Sequence, residues 1–164
     1  MAKSYPLISI IMNCFNGEKY LNESLKSIIQ QTYQNWELIF WDNQSKDKSA
    51  EIVNNFKDSR IRYFFSDQFT DLGGARAKAC KKVKGDYLAI LDCDDIWYPE
   101  KLKKQINYFS NPEIAICISN TLFFNSKKEL PLYKKRPPEG NVTSKLIENY
   151  YVSLESVLIK MEYV

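Results

Sequence analysis

The stretch Ile90-Leu91-Asp92-Cys93-Asp94-Asp95 puts three carboxylates within four residues, directly after an apolar run. Carboxylates crowded on one turn repel each other and raise one another's pKa. A hard divalent cation removes that penalty, because Mg2+ or Mn2+ prefers carboxylate oxygen. Magnesium takes one or two protein carboxylates and fills its other positions with phosphate and water, so the cluster suits a metal-bound diphosphate. The plainer alternative is a solvated acidic loop ahead of a helix that starts at Pro99, a favoured place for proline. Two basic groups also stand out: Lys78, Lys81, Lys82 and Lys84, and Lys127, Lys128, Lys134, Lys135 and Arg136. Such runs are usually solvated faces; the sharper reading is contact with anionic lipid or a lipid-linked substrate.

Composition closes several routes. The chain has 164 residues, no histidine and a formal net charge of +3. Histidine-based triads, histidine metal sites and a histidine general base are therefore excluded, and the charge is too small to argue for nucleic acid. Cys14, Cys80, Cys93 and Cys117 form no C-x-x-C pair and read as buried free thiols of a reducing cytosol. No apolar run is long enough to span a membrane, and no signal-peptide pattern opens the chain. These features imply a cytoplasmic protein, with room for contact at the inner face of the membrane. No G-x-x-x-x-G-K-[ST] loop exists. A phosphatase of the haloacid dehalogenase type carries its Asp-x-Asp near the N-terminus, whereas here it lies mid-chain. A glycoside hydrolase needs two carboxyl groups flanking a bond, not clustered on one turn.

The elements that must position these groups follow from hydrophobic periodicity. Leu7 to Cys14 is a β-branched-rich run, expected to be a strand buried on both faces. Glu18 to Gln31 carries Tyr20, Leu21, Leu25, Ile28 and Ile29 on one helical face. Strands are expected at Trp36–Trp41, Ile61–Phe65, Tyr87–Leu91 and Ile114–Ser119. Helices are expected at Ser49–Phe56, at Ala75–Val83 after Gly73-Gly74, and from Pro99 through Leu102, Ile106 and Phe109. Lys127 to Gly140, with its three prolines, reads as an irregular loop, Thr143 to Tyr150 as a helix and Ser156 to Lys160 as a strand. Four βα units in succession imply an α/β fold, a mostly parallel sheet flanked by helices. Ligands of such sheets bind at the carboxyl ends of the strands, where three polar segments fall.

Four segments, in order over roughly residues 5 to 120, resemble the inverting glycosyltransferases of family 2. Ser9 to Leu21 resembles their opening strand and turn. Ser27-Ile28-Ile29-Gln30-Gln31-Thr32-Tyr33 through Trp36-Glu37-Leu38 resembles their S-I-x-x-Q-T-Y-x-x-[FW]-E-L segment. Asp42-Asn43-Gln44-Ser45-Lys46-Asp47 resembles their D-D-G-S-x-D loop. Gly85-Asp86-Tyr87 through Asp94-Asp95, Trp97, Pro99, Lys101 and Leu102 resembles their DxD motif block. The resemblance implies a GT-A (Rossmann-like) fold, a single nucleotide-sugar-binding domain over 1–164 that is incomplete at its C-terminal side, and Mg2+ or Mn2+ as cofactor.

Residue by residue, the resemblance implies that Phe15 stacks on the nucleotide base and that Asn13 lies near base or ribose. Asp42 and Asn43 match the pair that reads the base, Arg76 lies close to base and phosphates, Asp92 contacts ribose or nearby water, Asp94 ligates the metal and Asp95 supports the turn. The family's second aspartate is Asn43 here. A carboxylate only accepts, whereas an amide accepts or donates, so uracil and cytosine are both open beside the family's usual UDP. The implied reaction moves a sugar from a nucleotide-diphosphate sugar to a saccharide or lipid-linked acceptor, in cell-surface polysaccharide or lipopolysaccharide synthesis. The catalytic base is expected beyond Val164, so this chain would bind nucleotide and transfer sugar poorly. The alternative is a non-catalytic nucleotide-binding or interaction module on a degenerate glycosyltransferase fold.

Overall fold

A computed structural model describes residues 5–125 and 128–164. Four parallel strands form its centre: β1 (Ile8–Cys14), β2 (Trp36–Asp42), β3 (Ile61–Phe65) and β4 (Tyr87–Ile90). Helices α1 (Leu21–Ile29), α2 (Ser49–Asn55) and α3 (Leu72–Cys80) connect them, and α4 (Lys101–Tyr108) follows β4. All seven residues of β1 and all seven of β2 are buried, as expected of strands covered on both faces. Ile8, Ile10, Met12 and Cys14 face a core shared with Leu21, Leu25, Ile28, Leu102 and Phe109. Ile11 faces the opposite core, made with Ile39, Trp41, Ala75, Ala79 and Leu88. Period-two alternation thus gives β1 one face toward α1 and another toward α3.

The sheet order is β3-β2-β1-β4-β8-β5, where β5 is Ile116–Ile118 and β8 is Val157–Lys160. β8 runs antiparallel to both β4 and β5. The fifth strand expected at Ile114–Ser119 therefore exists in shortened form, but it lies at the sheet edge and not beside β4. Periodicity finds strands without their neighbours, and β8 has the apolar side chains that this inner position requires. The expected loop at 127–140 is also partly ordered: β6 (Leu122–Phe124) pairs with β7 (Glu129–Pro131), with Pro131 at the end of the ribbon, where its missing N–H costs least. Lys127 lies outside the described residues. Helix α5 spans Thr143–Glu148.

Two helix starts differ from expectation for a local reason. Asp71 caps α3 by accepting from the Gly74 N–H at 2.6 Å, so the helix begins at Leu72. Residues 18–20 stay outside α1 because the Glu18 N–H donates to Asp47 and the Glu18 carboxylate accepts from the Lys48 N–H. At the amino ends of the strands, Glu37 accepts from the Ser9 hydroxyl (2.6 Å), the Lys84 N–H (2.8 Å) and Arg62 (2.6 Å). Gly85 is needed beside them: a Cβ there would stand 2.6 Å from the Leu7 carbonyl oxygen and 2.7 Å from the Ser9 nitrogen, both rigid backbone.

Candidate active site

The carboxyl ends of β1, β2 and β4 converge on one edge. The Asn43 N–H donates to the Cys14 carbonyl and the Leu91 N–H to the Ile11 carbonyl. The loop after β1 is clasped by the loop after β2: the Asn16 N–H donates to Ser45, the Lys46 N–H to the Asn16 side chain and the Gly17 N–H to Ser49. Asn16 and Gln44 take positive φ, 54° and 70°, which tightens both turns. Beyond that clasp Phe15 stands 49 % exposed and packs edge-on against Phe69, 57 % exposed, at a centroid distance of 4.9 Å.

The acidic turn is held from α1. The Ser24 hydroxyl donates to the Cys93 carbonyl, and the Trp97 N–H donates to the Ser27 hydroxyl. The wholly buried Gln31 amide donates to the Tyr98 carbonyl at 2.9 Å and accepts from the Leu102 N–H at 3.1 Å. The Ser27-to-Gln31 segment thus serves to anchor residues 93–102. On that turn the three carboxylates have different surroundings. Asp92 accepts from Arg76 Nη2 at 2.8 and 3.1 Å. Asp94 is exposed and has no hydrogen-bond or salt-bridge partner among the described residues. Asp95 is half-buried, and burial, with Glu155, Asp94 and Asp92 nearby, pushes its carboxyl up to about 6. A cavity of about 710 Å³ opens beside it, lined in part by Asp95, Trp97, Lys101, Gln105 and Glu155. Burial brings the Lys101 amine down to about 7.

Asp42 and Asn43, expected to read the base, are satisfied by the protein itself. Asp42 is wholly buried, accepting from the Ser45 N–H at 2.7 Å and the Tyr63 hydroxyl at 2.7 Å. Burial and that bond push the Tyr63 hydroxyl well up. The Asn43 amide donates to the Thr70 carbonyl at 2.8 Å and accepts from the Thr70 N–H at 3.3 Å. The two Asn43 bonds tie the end of β2 to the loop that carries Phe69.

Other groups lack protein partners. Asn13 is 7 % exposed, and neither its amide nitrogen nor its amide oxygen has one. Trp41 Nε1 and Arg76 Nε are likewise buried and unpartnered. Asn13 and Trp41 are directly paired in the β1–β2 register, and Arg76 belongs to α3, which covers that face. Buried polar atoms are nearly always hydrogen-bonded, to protein, water or ligand. Four orphaned atoms on one face at a ligand-binding edge therefore mark a polar binding position. Trp41 and Phe69 were not singled out by sequence. The signal for Trp41 lies in strand pairing, which places it opposite Asn13; Phe69 carries none, because only the Asn43–Thr70 contact brings it to Phe15.

The carboxylates on this turn are compatible with a metal-bound diphosphate. One free carboxylate, Asp94, projects beside an arginine-bound Asp92, and Mg2+ needs only one or two protein carboxylates when phosphate supplies the rest. Among the described residues no group of three acidic or cysteine side chains is arranged to hold a cation alone. No helix among them is long and apolar enough to cross a membrane.

Next to this turn the Cys14 and Cys93 sulfurs crowd the same point beside Gly17. Their interaction draws Cys14 down to about 7 against the effect of burial, and it pushes Cys93 up.

A family profile described as "Glycosyl transferase family 2" matches residues 9–157. A UDP-Glc:alpha-D-GlcNAc-diphosphoundecaprenol beta-1,3-glucosyltransferase, WfgD, of Escherichia coli is 33% identical over 153 residues, covering 93% of this chain and 60% of its own. S. aureus TarS 1-349 in complex with UDP-GlcNAc superposes with a TM-score of 0.78 at 21% identity, over 93% of this chain and 45% of its own. The mannosyltransferase PcManGT of Pyrobaculum calidifontis, in complex with GDP-Man and Mn2+, gives 0.71 at 17% identity, over 98% and 46%. These likenesses show the GT-A fold. The chain spans about half the length of the curated relatives it matches.

Proposed function

The chain belongs to glycosyl transferase family 2, and from that premise we propose that it forms the donor side of a transferase, holding a nucleoside-diphosphate sugar at the carboxyl edge of the sheet. Buried polar groups left unpartnered at that edge carry the proposal: both amide atoms of Asn13, the Trp41 indole N–H and Arg76 Nε. Phe15 stacks on the base with Phe69 packed behind it, Asn13 meets base or ribose, Arg76 meets phosphate, and Asp92 holds Arg76 in place while facing the ribose. Asp42 and Asn43 act one step back, fixing the loop against which the base rests. Asp94 would hold Mg2+ or Mn2+, a cation that would offset charge on the leaving diphosphate. Asp95 supports the turn.

Uridine is the expected donor nucleotide, in line with the UDP-glucose named for the Escherichia coli relative and the UDP-GlcNAc held by TarS. In a protein of the relatives' length, an acceptor hydroxyl attacks the anomeric carbon with inversion, and a general base takes its proton; that base is assigned to none of the residues above. The acceptor class is a saccharide or a lipid-linked saccharide of cell-surface polysaccharide synthesis. Work on a lipid-linked acceptor is expected at the cytoplasmic face of a membrane, where the exposed Lys128, Lys134 and Lys135 suit anionic headgroups.

Calorimetric titration of UDP, CDP, GDP and dTDP, each with and without Mn2+, tests this on the wild-type chain and on Asp94→Asn. Manganese-dependent binding of a pyrimidine diphosphate, lost in the variant, is the expected result. A folded wild-type chain that binds none of the four overturns the donor-site reading.

A further inference from the structure

Gly17 sits where two sulfurs meet. A Cβ on it would stand 2.8 Å from Cys14 Sγ and 2.9 Å from Cys93 Sγ, so both sulfurs crowd the same point. Only a residue without a side chain leaves them that room. Cys14 ends β1, between Asn13 and Phe15, and Cys93 lies between Asp92 and Asp94. The two residues are 79 positions apart in sequence, yet both sulfurs reach the same point beside Gly17. Cys14 is buried and Cys93 is partly exposed. Cys80 lies in the α3 core and Cys117 on the edge strand β5. All four thiols are free in this state.

We infer that Cys14 and Cys93 form a reversible disulfide under a peroxide oxidant, and that this bond switches off the nucleotide site. One of the two sulfurs attacks one peroxide oxygen as its thiolate, breaking the O–O bond to give a sulfenic acid and, with the proton it had released, water. The other thiol then attacks that sulfenic sulfur. The S–O bond breaks, the S–S bond forms, and the departing hydroxyl takes the attacking thiol's proton to leave as a second water. Each sulfur gives up one electron, and the peroxide takes both.

The bond would change the site because it joins both halves of it. An S–S bond is about 2.05 Å long, shorter than any non-bonded contact between two sulfurs. Closing that gap pulls residues 92–95 toward the end of β1, moving Asp92 and Asp94 relative to Asn13 and Phe15. A displacement of about 1 Å at a positioned site costs about 10²-fold in function. The disulfide itself stands apart from the donor-site reading; its effect on nucleotide rests on that reading.

The test treats the whole chain with hydrogen peroxide, then measures intact mass, maps peptides and titrates UDP with Mn2+ before and after. The expected product has lost two hydrogens, yields a Cys14–Cys93 linked peptide, binds UDP roughly tenfold to a hundredfold more weakly, and returns to the starting state with dithiothreitol. Cys93→Ala should give no linked peptide and bind UDP equally before and after peroxide. Four alkylatable thiols after treatment, a sulfinic acid on Cys93 alone, or a linkage through Cys80 or Cys117 overturns the inference. A Cys14–Cys93 bond with unchanged UDP affinity overturns the switch. A bond in a chain whose reduced form binds no nucleotide supports the disulfide and overturns the donor site, and the switch with it.

Discussion

Replacing Asn13 with leucine should stabilise the unliganded chain and cripple its binding site together. The Asn13 amide is buried, and neither of its polar atoms has a protein partner. Burying an amide without a hydrogen bond costs about 1–3 kcal/mol by mutational measures. Leucine has similar volume and no such cost, and the neighbouring Ile11 and Trp41 offer it an apolar wall. Asn13→Leu should therefore gain about 1–2 kcal/mol, less than the full penalty because water satisfies part of the amide. In a chain of this size that is a rise in Tm of about 2–4 °C per kcal/mol. The same change removes one or two hydrogen bonds to nucleotide, each worth about 0.5–1.5 kcal/mol, so UDP affinity should fall about 3- to 100-fold. Denaturant unfolding and calorimetry on the same preparation measure both halves. A variant that is less stable than wild type and binds UDP as well would refute the reasoning, since Asn13 would then be a satisfied structural residue.

Gln31→Ala leaves the Leu102 N–H without its partner, while the Tyr98 carbonyl keeps the Lys101 N–H; at about 1–3 kcal/mol for one buried orphan, urea unfolding should show a loss of about 1–3 kcal/mol. For Asp95 the folded carboxyl sits at about 6 against an ordinary value of 3.8, so the native state binds more protons between those values. Its contribution makes the chain less stable as pH rises through that window, the cost being complete above about 6. Asp95→Asn should flatten this slope, gaining more stability at pH 7.5 than at pH 4.5 in paired denaturant melts. Glu37, held below the usual carboxylate range by Ser9, Arg62 and the Lys84 N–H despite burial, acts in the opposite sense, stabilising at neutral pH and losing that effect as pH falls through its lowered pKa. Glu37→Gln should cost about 1.5–3 kcal/mol and leave UDP titration unchanged, because it lies at the amino ends of the strands.

Much of this molecule is legible in its sequence because its signals are local. Leu7 to Cys14 announces a buried strand through composition alone, and Asp92 to Asp95 announces itself through charge crowding. The four parallel strands follow from alternation of βα units. What was not legible depends on long-range pairing. Nothing in Val157 to Lys160 says that it will slip between β4 and β5. Nothing in Asp42 and Asn43 says that they will bond to Tyr63, Ser45 and Thr70. The same limit hid Trp41 and Phe69, whose significance arises from a strand register and a loop contact. The two cysteines at 14 and 93 read as unrelated buried thiols until Gly17 brings them together.

The inner position of β8 also constrains how the chain can be made. Strands β1 to β4 with their helices are complete once residue 108 has been synthesised, and their pairings are mutual. β5 emerges next but has no place to bond until residues 157–160 arrive to stand between it and β4. During translation the flank of β4 is therefore an open seam, lined by the backbone of Tyr87, Leu88 and Ala89, of the kind that recruits strands from other chains. The nascent protein must keep this seam unoccupied for about fifty residues of elongation, a few seconds at ordinary ribosome speeds of roughly 5–20 residues per second.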